Sequence, residues 1–284
     1  MVFIFWRIPM TNPLLKAYRK PSLYISLPSN GKFYKETPKL SADGELAVYA
    51  MTARDELITK TPDALFNGEA THAIISSCCP DIPDANDVPV NDLLVILLAI
   101  RQATYGRNLN MDMKCPKCEE LNLLAVDASA LLGRVKKLTA SESVTLDNNF
   151  VVTVKPYNLK DRTLLQIQQV QQRKMIDSIV NANVDEEERS RIFGEAFIDI
   201  AELTVKLINN CIVSVKTEEE EISDSEIIGE WLQGITKKDY DAIKDQVELV
   251  SDPCLDTTMT AKCQSCEHEW KADINLDIAN FFEG

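Results

Sequence analysis

The apolar positions of this chain change their spacing twice between the termini. The first part is short and alternating. Leu23 to Leu27 (L-Y-I-S-L) alternates at its centre and runs into Pro28-Ser29-Asn30-Gly31, a turn sequence. Glu45 to Met51 (E-L-A-V-Y-A-M) follows Asp43-Gly44. Both stretches predict strands. Thr61-Pro62-Asp63 predicts a helix start, with Thr61 as N-cap and Pro62 in the first turn, running toward Ile75 and ending before Pro80. Asp81 to Asn91 reads as an ordered loop or linker. Asn91 or Asp92 is placed to cap a helix from Leu93 to about Ala103. That helix is apolar nearly all round, which puts it at the centre of an N-terminal core.

Further on, the spacing becomes helical. Ser143 to Leu146 and Phe150 to Lys155 first alternate around Asp147-Asn148-Asn149, predicting a hairpin. Leu159 to about Asn181 then carries Leu164, Ile167, Val170, Ile176 and Ile179 among glutamines. Asp185 starts the next helix, with Glu186, Glu187 and Glu188 near its positive end and an apolar face from Phe193 to Cys211. The acidic run Glu218 to Glu221 reads as a solvated turn. Ser223 and Glu226 have capping-box spacing ahead of Ile227, Ile228, Trp231 and Leu232, and Gly234 ends that helix. Thr236 and Asp239 open another, with Tyr240, Ile243 and Val247 inward.

Cysteine adds chemistry to this pattern. Four of the eight cysteines form two C-x-x-C pairs, Cys115-Pro116-Lys117-Cys118 and Cys263-Gln264-Ser265-Cys266. A two-residue gap lets both thiolates turn toward one ion while backbone N–H groups point at the sulfurs. Each pair lies between strand-like segments rather than at the start of a helix, which disfavours a redox pair. The surroundings also repeat: Lys before the first Cys, Glu after the second, then a strand-like stretch and a short apolar segment, Ala128 to Leu132 or Ile278 to Phe282. The expectation is one zinc ribbon whose two halves share a structural Zn2+ through Cys115, Cys118, Cys263 and Cys266. His268 is an alternative ligand by position but reads as a surface residue of the knuckle turn. Cys78, Cys79, Cys211 and Cys254 read as small buried hydrophobes. Free thiols beside a thiolate zinc site indicate a reducing compartment, the cytoplasm.

Charge and composition remove several functions. The chain has 284 residues and a formal net charge of −14, which disfavours nucleic acid and anionic membranes as partners. No two of its nine glycines have the spacing of a phosphate-cradling loop, and there are only two histidines. The longest apolar run, Leu93 to Ile100, is eight residues, against roughly 20 for a membrane span. Met1 to Pro9 is too short for a signal peptide, and Met10 reads as a natural start, so residues 1–11 are expected to form an extension outside the fold.

Several strings then become specific. Asn12-Pro13-Leu14-Leu15-Lys16, Leu27-Pro28-Ser29-x-Gly31-x-x-Tyr34, Met51-Thr52-Ala53-Arg54-Asp55-Glu56-Leu57 and Thr61-Pro62-Asp63-Ala64-Leu65-x-Asn67-Gly68 resemble the baseplate proteins of T-even-type tailed phages. The resemblance is concentrated in residues 12–125 and returns faintly at Trp231-Leu232, the second C-x-x-C and Phe281-Phe282. It implies a non-enzymatic assembly factor or structural component of a contractile-tail baseplate hub. Its partners would be other hub proteins, with no nucleic acid and no small-molecule substrate. Its place would be the host cytoplasm during assembly, whether it then stays in the virion baseplate or leaves. The matching loops carry exposed-type residues, so Tyr34, Arg54, Asp55 and Glu56 become candidate partner contacts. The alternative is a zinc-ribbon nucleic-acid-binding protein, against which stand Glu119, Glu120, Glu267 and Glu269 beside the few lysines of the ribbon. A metalloenzyme is disfavoured because four thiolates close the metal's shell.

The expected fold class is α+β. After the extension at 1–11 come an N-terminal α+β domain at 12–108 and the first half-ribbon with its hairpin at 109–157. A helical insert at 158–252 and the second half-ribbon at 253–284 complete it.

Overall fold

The computed structural model describes residues 19–60, 68–140, 142–181 and 186–274. The extension, the helix start at Thr61, Asp185 and the segment Ile278 to Phe282 fall outside them. The fold is α+β: helices combined with small antiparallel sheets. No helix among the described residues is long and apolar enough to cross a membrane.

The first core forms around one helix. Strands β1 (Leu23–Ser26) and β2 (Glu45–Val48) pair antiparallel, Ile25 opposite Leu46, and turn Ile25, Leu46 and Val48 inward. Helix α1 (Ala53–Thr59) and helix α2 (Glu69–Cys78) follow. Helix α3 (Val90–Tyr105) buries Leu93 and every residue from Val95 to Arg101, as its unbroken apolar surface requires. Gly68 sits at a close approach. Gly68 has φ +74°, and a Cβ there would lie 2.5 Å from Thr163 Oγ1, so a side chain at Gly68 would be strained and would clash.

Two expected caps fall elsewhere. Pro89, not Asn91 or Asp92, is the N-cap of α3, and the Val90 N–H is taken by the Tyr157 carbonyl. Freed from capping, both polar side chains of the first turn reach outward while remaining fully buried. Asn91 Nδ2 donates to the carbonyls of Val250 and Asp252. Asp92 accepts from the Ser29 N–H at 2.9 Å, from Ser29 Oγ and from the Tyr34 hydroxyl at 2.9 Å. The other displaced cap is at α7 (Ser225–Gly234), where Asp224, rather than the Ser223 and Glu226 pair, accepts from the N–H groups of Glu226 and Ile227.

The second core is not purely helical. Strands β5 (Ser143–Thr145) and β6 (Val151–Val154) form the expected hairpin. They extend into a four-stranded antiparallel sheet with β7 (Ile212–Lys216) and β8 (Glu221–Ile222). Leu146, Val152 and Val154 of the hairpin share one cluster with Ile208, Cys211, Ile228, Leu232, Ile243 and Val247. The hairpin therefore packs with the block that follows it. The helices bringing the chain there are α5 (Leu159–Asn181), with the expected bounds, and α6 (Glu186–Cys211). Of the apolar face expected on α6, Leu207, Ile208 and Cys211 are buried, whereas Ile200 is exposed. Helix α8 (Lys237–Val250) is capped by Thr236, which accepts from the Asp239 N–H, as its sequence indicates.

Burial holds the Asp92 carboxyl at about 6, above its ordinary 3.8, against the opposing effect of the Ser29 and Tyr34 hydrogen bonds. A carboxyl with a raised folded-state pKa binds protons more tightly when folded. Stability from this group is therefore present below about pH 4 and is lost as pH rises through 6. The difference amounts to on the order of 3 kcal/mol at ~1.4 kcal/mol per pKa unit. The expected result is that stability of the wild type, measured by urea unfolding, falls between pH 4 and 6 relative to Asp92→Asn. Parallel pH profiles for the two proteins would rule this out.

Candidate metal centre

Each C-x-x-C pair sits at the tip of a hairpin. Strands β3 (Asn108–Lys114) and β4 (Leu121–Asp127) flank the first, and β9 (Thr258–Lys262) and β10 (Glu269–Asp273) flank the second. The pseudo-repeat in sequence is a repeat in backbone geometry. Lys114 pairs with Leu121, and Lys262 with Glu269. The Cys115 N–H donates to the Glu120 carbonyl at 2.9 Å, and the Cys263 N–H to the His268 carbonyl at 2.9 Å. The glutamate after each second cysteine has a left-handed backbone, Glu119 at φ +61° and Glu267 at φ +54°. That conformation turns the chain back just after the second cysteine.

The four sulfurs converge. All lie within 4.8 Å of one another. Cys115 Sγ is 3.7 Å from Cys266 Sγ, and Cys118 Sγ is 3.5 Å from Cys263 Sγ. A tetrahedral ion with Zn–S bonds of ~2.3 Å needs sulfurs roughly 3.8 Å apart, so these donors fit such an ion and could bind one. Cys115 and Cys263 are buried, Cys266 is half-buried and Cys118 is exposed.

The local electrostatics favour thiolates unevenly. The Cys263 thiol is drawn down to about 6, first by the Cys266 N–H and then, against burial, by the Ser265 N–H and the neighbouring sulfurs. At Cys115 burial acts upward, but the N–H groups of Cys118 and Lys117 outweigh it and the shift is downward. Cys118 is pushed up to about 12: the Glu120 N–H lowers it, and the sulfurs of Cys266, Cys263 and Cys115, which hold its proton, raise it more. Four sulfurs this close cannot all be anionic without a cation among them, and a divalent ion would take the place of those protons.

One residue of this centre escapes sequence reasoning. Asn122 is buried, accepts from the Gln264 N–H at 2.9 Å, and places its Nδ2 3.7 Å from Cys263 Sγ and 2.9 Å from the Glu120 carbonyl. It bonds both knuckles at once. The available signal was its position: alternation along Leu121-Asn122-Leu123-Leu124 puts a polar residue inward and two leucines outward, the reverse of what burial alone prefers. His268 is not among the clustered donors; it is half-buried and stacks on Trp270.

The residues expected to face partners separate into two groups. Asp55 is buried: with Thr52 it forms the capping box of α1, and it also accepts from Ser77 Oγ at 2.9 Å. Tyr34 is packed against the first core, its hydroxyl tied to Asp92. Both side chains are tied within the fold, Asp55 buried and Tyr34 half-buried. Arg54 is exposed, and Glu56 is half-exposed and paired with Lys60 at 3.3 Å.

With this geometry in place, comparison with known proteins is informative. The family described as T4 bacteriophage base plate protein matches residues 21–283, and the chain belongs to that family. No curated protein and no solved structure matches it.

Asn122→Ala removes an outer-shell partner of the sulfur cluster and a tie between the knuckles. It is expected to weaken Co2+ or Zn2+ binding by about tenfold or more. Titration followed by thiolate-to-cobalt absorption reads this; an unchanged affinity would remove Asn122 from the centre.

Proposed function

We propose that this chain works without catalysis at the central hub of a contractile-tail baseplate, as an assembly factor or a hub component acting through protein–protein contacts. The observation that carries the reading is the family match, which spans nearly the whole chain. Cys115, Cys118, Cys263 and Cys266 hold one Zn2+, and its role is structural, because four thiolates fill a tetrahedral shell and leave no position for substrate. Arg54 and Glu56 at the start of α1 are the partner-facing residues retained from the sequence. The protein acts in the host cytoplasm as the tail assembles, and as a hub component it would remain in the virion baseplate.

Two experiments test this. Arg54→Ala combined with Glu56→Ala, supplied to a phage lacking the wild-type chain, should reduce hub assembly at least tenfold while the protein stays folded. Particle yields equal to wild type would defeat the surface assignment, and quantitative mass spectrometry of the particles would report whether the chain is in them. For the metal, elemental analysis should give one zinc per chain. Cys263→Ser should cost on the order of several kcal/mol and speed hydrogen exchange in β3, β4, β9 and β10 more than in α7 and α8. The second core has its own apolar cluster and should outlast the ribbon; uniform loss of protection would argue against a local structural role.

A further inference from the structure

We infer that Asn30 is a latent deamidation site, held unreacted in the folded protein by the hydrogen bond from the Gly31 N–H to Ser29 Oγ. Asparagine followed by glycine is especially prone to cyclise, because no Cβ on the second residue hinders its amide nitrogen. The Gly31 nitrogen would attack Asn30 Cγ and give up its proton, and the side-chain nitrogen would leave as ammonia. Water then opens the cyclic imide at either carbonyl, leaving aspartate or isoaspartate. The reaction needs no oxidant and no cofactor.

The turn after β1 brings the reactants together and ties down one of them. Asn30 and Gly31 are the central residues of a turn closed by the Lys32 N–H on the Ser29 carbonyl at 3.1 Å. Both have positive φ, +54° and +77°, as a type I′ turn requires and Asn-Gly favours. Asn30 is exposed to the water that would complete the reaction, whereas Gly31 is buried. A Cβ at Gly31 would stand 3.4 Å from Leu40 and 3.5 Å from Pro38, so its backbone is packed beneath them. Three successive N–H groups are engaged: Asn30 on the Leu27 carbonyl at 3.0 Å, Gly31 on Ser29 Oγ at 3.1 Å, and Lys32 as above. Cyclisation has to swing the Gly31 nitrogen from Ser29 toward Asn30 Cγ, which breaks the middle bond and displaces a buried peptide unit.

The guarding hydroxyl is itself anchored. Ser29 is buried, its Oγ donates to Asp92, and its N–H donates to the same carboxyl at 2.9 Å. Ser29 thus supplies two of the three hydrogen bonds that Asp92 accepts, the Tyr34 hydroxyl giving the third. Reaction at Asn30 would undo this arrangement. The imide leaves Gly31 without an N–H, and isoaspartate lengthens the backbone by one carbon inside a turn whose geometry seats Ser29. A buried carboxyl that loses such donors is costly, so conversion of one exposed side chain would unseat the loop that leaves β1.

The test incubates the full-length protein at mildly alkaline pH, folded and unfolded in urea. Peptide mass spectrometry then follows aspartate and isoaspartate at Asn30, separately from the second Asn-Gly sequence at Asn67. The folded wild type should convert about tenfold or more slowly than the unfolded chain, because the turn has to open first. Ser29→Ala should speed conversion in the folded protein about fivefold, the worth of one hydrogen bond. Tyr34→Phe removes a different donor to Asp92 and should leave the rate within about twofold of wild type. Equal rates in the folded and unfolded wild type would overturn the inference. So would a Ser29→Ala rate equal to wild type, or an equal rise in both variants, which would assign the protection to the loop as a whole. If Ser29→Ala does not fold, amide exchange of the wild type decides. Exchange of the Gly31 N–H slowed about tenfold or more upholds the bond, and exchange at the unfolded-chain rate overturns it.

Discussion

Two polar side chains in the first turn of α3 are where the parts of this protein meet. Asn91 and Asp92 lie on a helix buried on almost every side, where an unpaired amide or carboxylate would cost several kcal/mol. The Asn91 amide nitrogen and the Asp92 carboxyl therefore draw partners to them, while Asn91 Oδ1 stays unpaired among the described residues. Asp92 draws in the Ser29 turn and Tyr34, which fixes the loop leaving β1. Asn91 takes the carbonyls of Val250 and Asp252, which fixes the end of α8 and so the entry to the second half-ribbon. Both become available because Pro89 and the Tyr157 carbonyl serve the helix start instead. A backbone contact from the second core thus releases Asn91, which binds that core to the first.

The same junction explains why the distant knuckles come together. Once Asn91 holds Asp252, the chain leaves α8 close to the end of α4 (Ala128–Leu132). There Lys136 N–H donates to the Cys254 carbonyl, Arg134 reaches the Thr258 carbonyl, and Val135 bridges Leu255. The half-ribbons are aligned by these contacts before any sulfur is considered. Ile274, beyond β10, then enters the first core beside Leu109 and Val126. An ion on the four sulfurs would lock an arrangement that hydrogen bonds and packing already define. Closing a loop of this length removes on the order of 5 kcal/mol of unfolded-state entropy.

The sequence made some of this plain and hid the rest for physical reasons. The knuckles, the Asp147-Asn148-Asn149 hairpin, the bounds of α5 and the Thr236 cap were legible because each depends on chain neighbours. Asn91 and Asp92 look like caps because their position suits one, and the competing carbonyl of Tyr157 lies far along the chain. Strand β7 was missed because it follows α6 without a loop. Its apolar Ile212 and Val215 continue the spacing of Leu207, Ile208 and Cys211, so the change of period is invisible over five residues. The acidic run from Glu218 has the composition of a solvated turn, but Glu221 pairs with Lys216 and accepts from Ser214 Oγ at 2.6 Å. Asp55 and Tyr34 look like surface residues by type. Their inward roles depend on Ser77 and Asp92, which no local pattern reveals.

The two hairpins also show what a shared site does and does not constrain. Equivalent backbone bonds, equivalent left-handed glutamates and converging sulfurs make their interiors alike. Val126 and Ile274 occupy the same position after the knuckle and are both buried. The outward positions have nothing to do for the sulfurs, and they diverge: Leu121, Leu123 and Ala125 on β4 stand where β10 has Glu269, Lys271 and Asp273. Asn122 marks the limit of the symmetry, because its counterpart in β10 is Trp270, which stacks on His268 instead of crossing to the other knuckle. One cross-link of that kind is enough, since an amide bonding both loops fixes their separation, and a second from the opposite side would have to meet the same sulfurs. The ribbon therefore needs near-identical halves for its donors and a single asymmetric residue for its register.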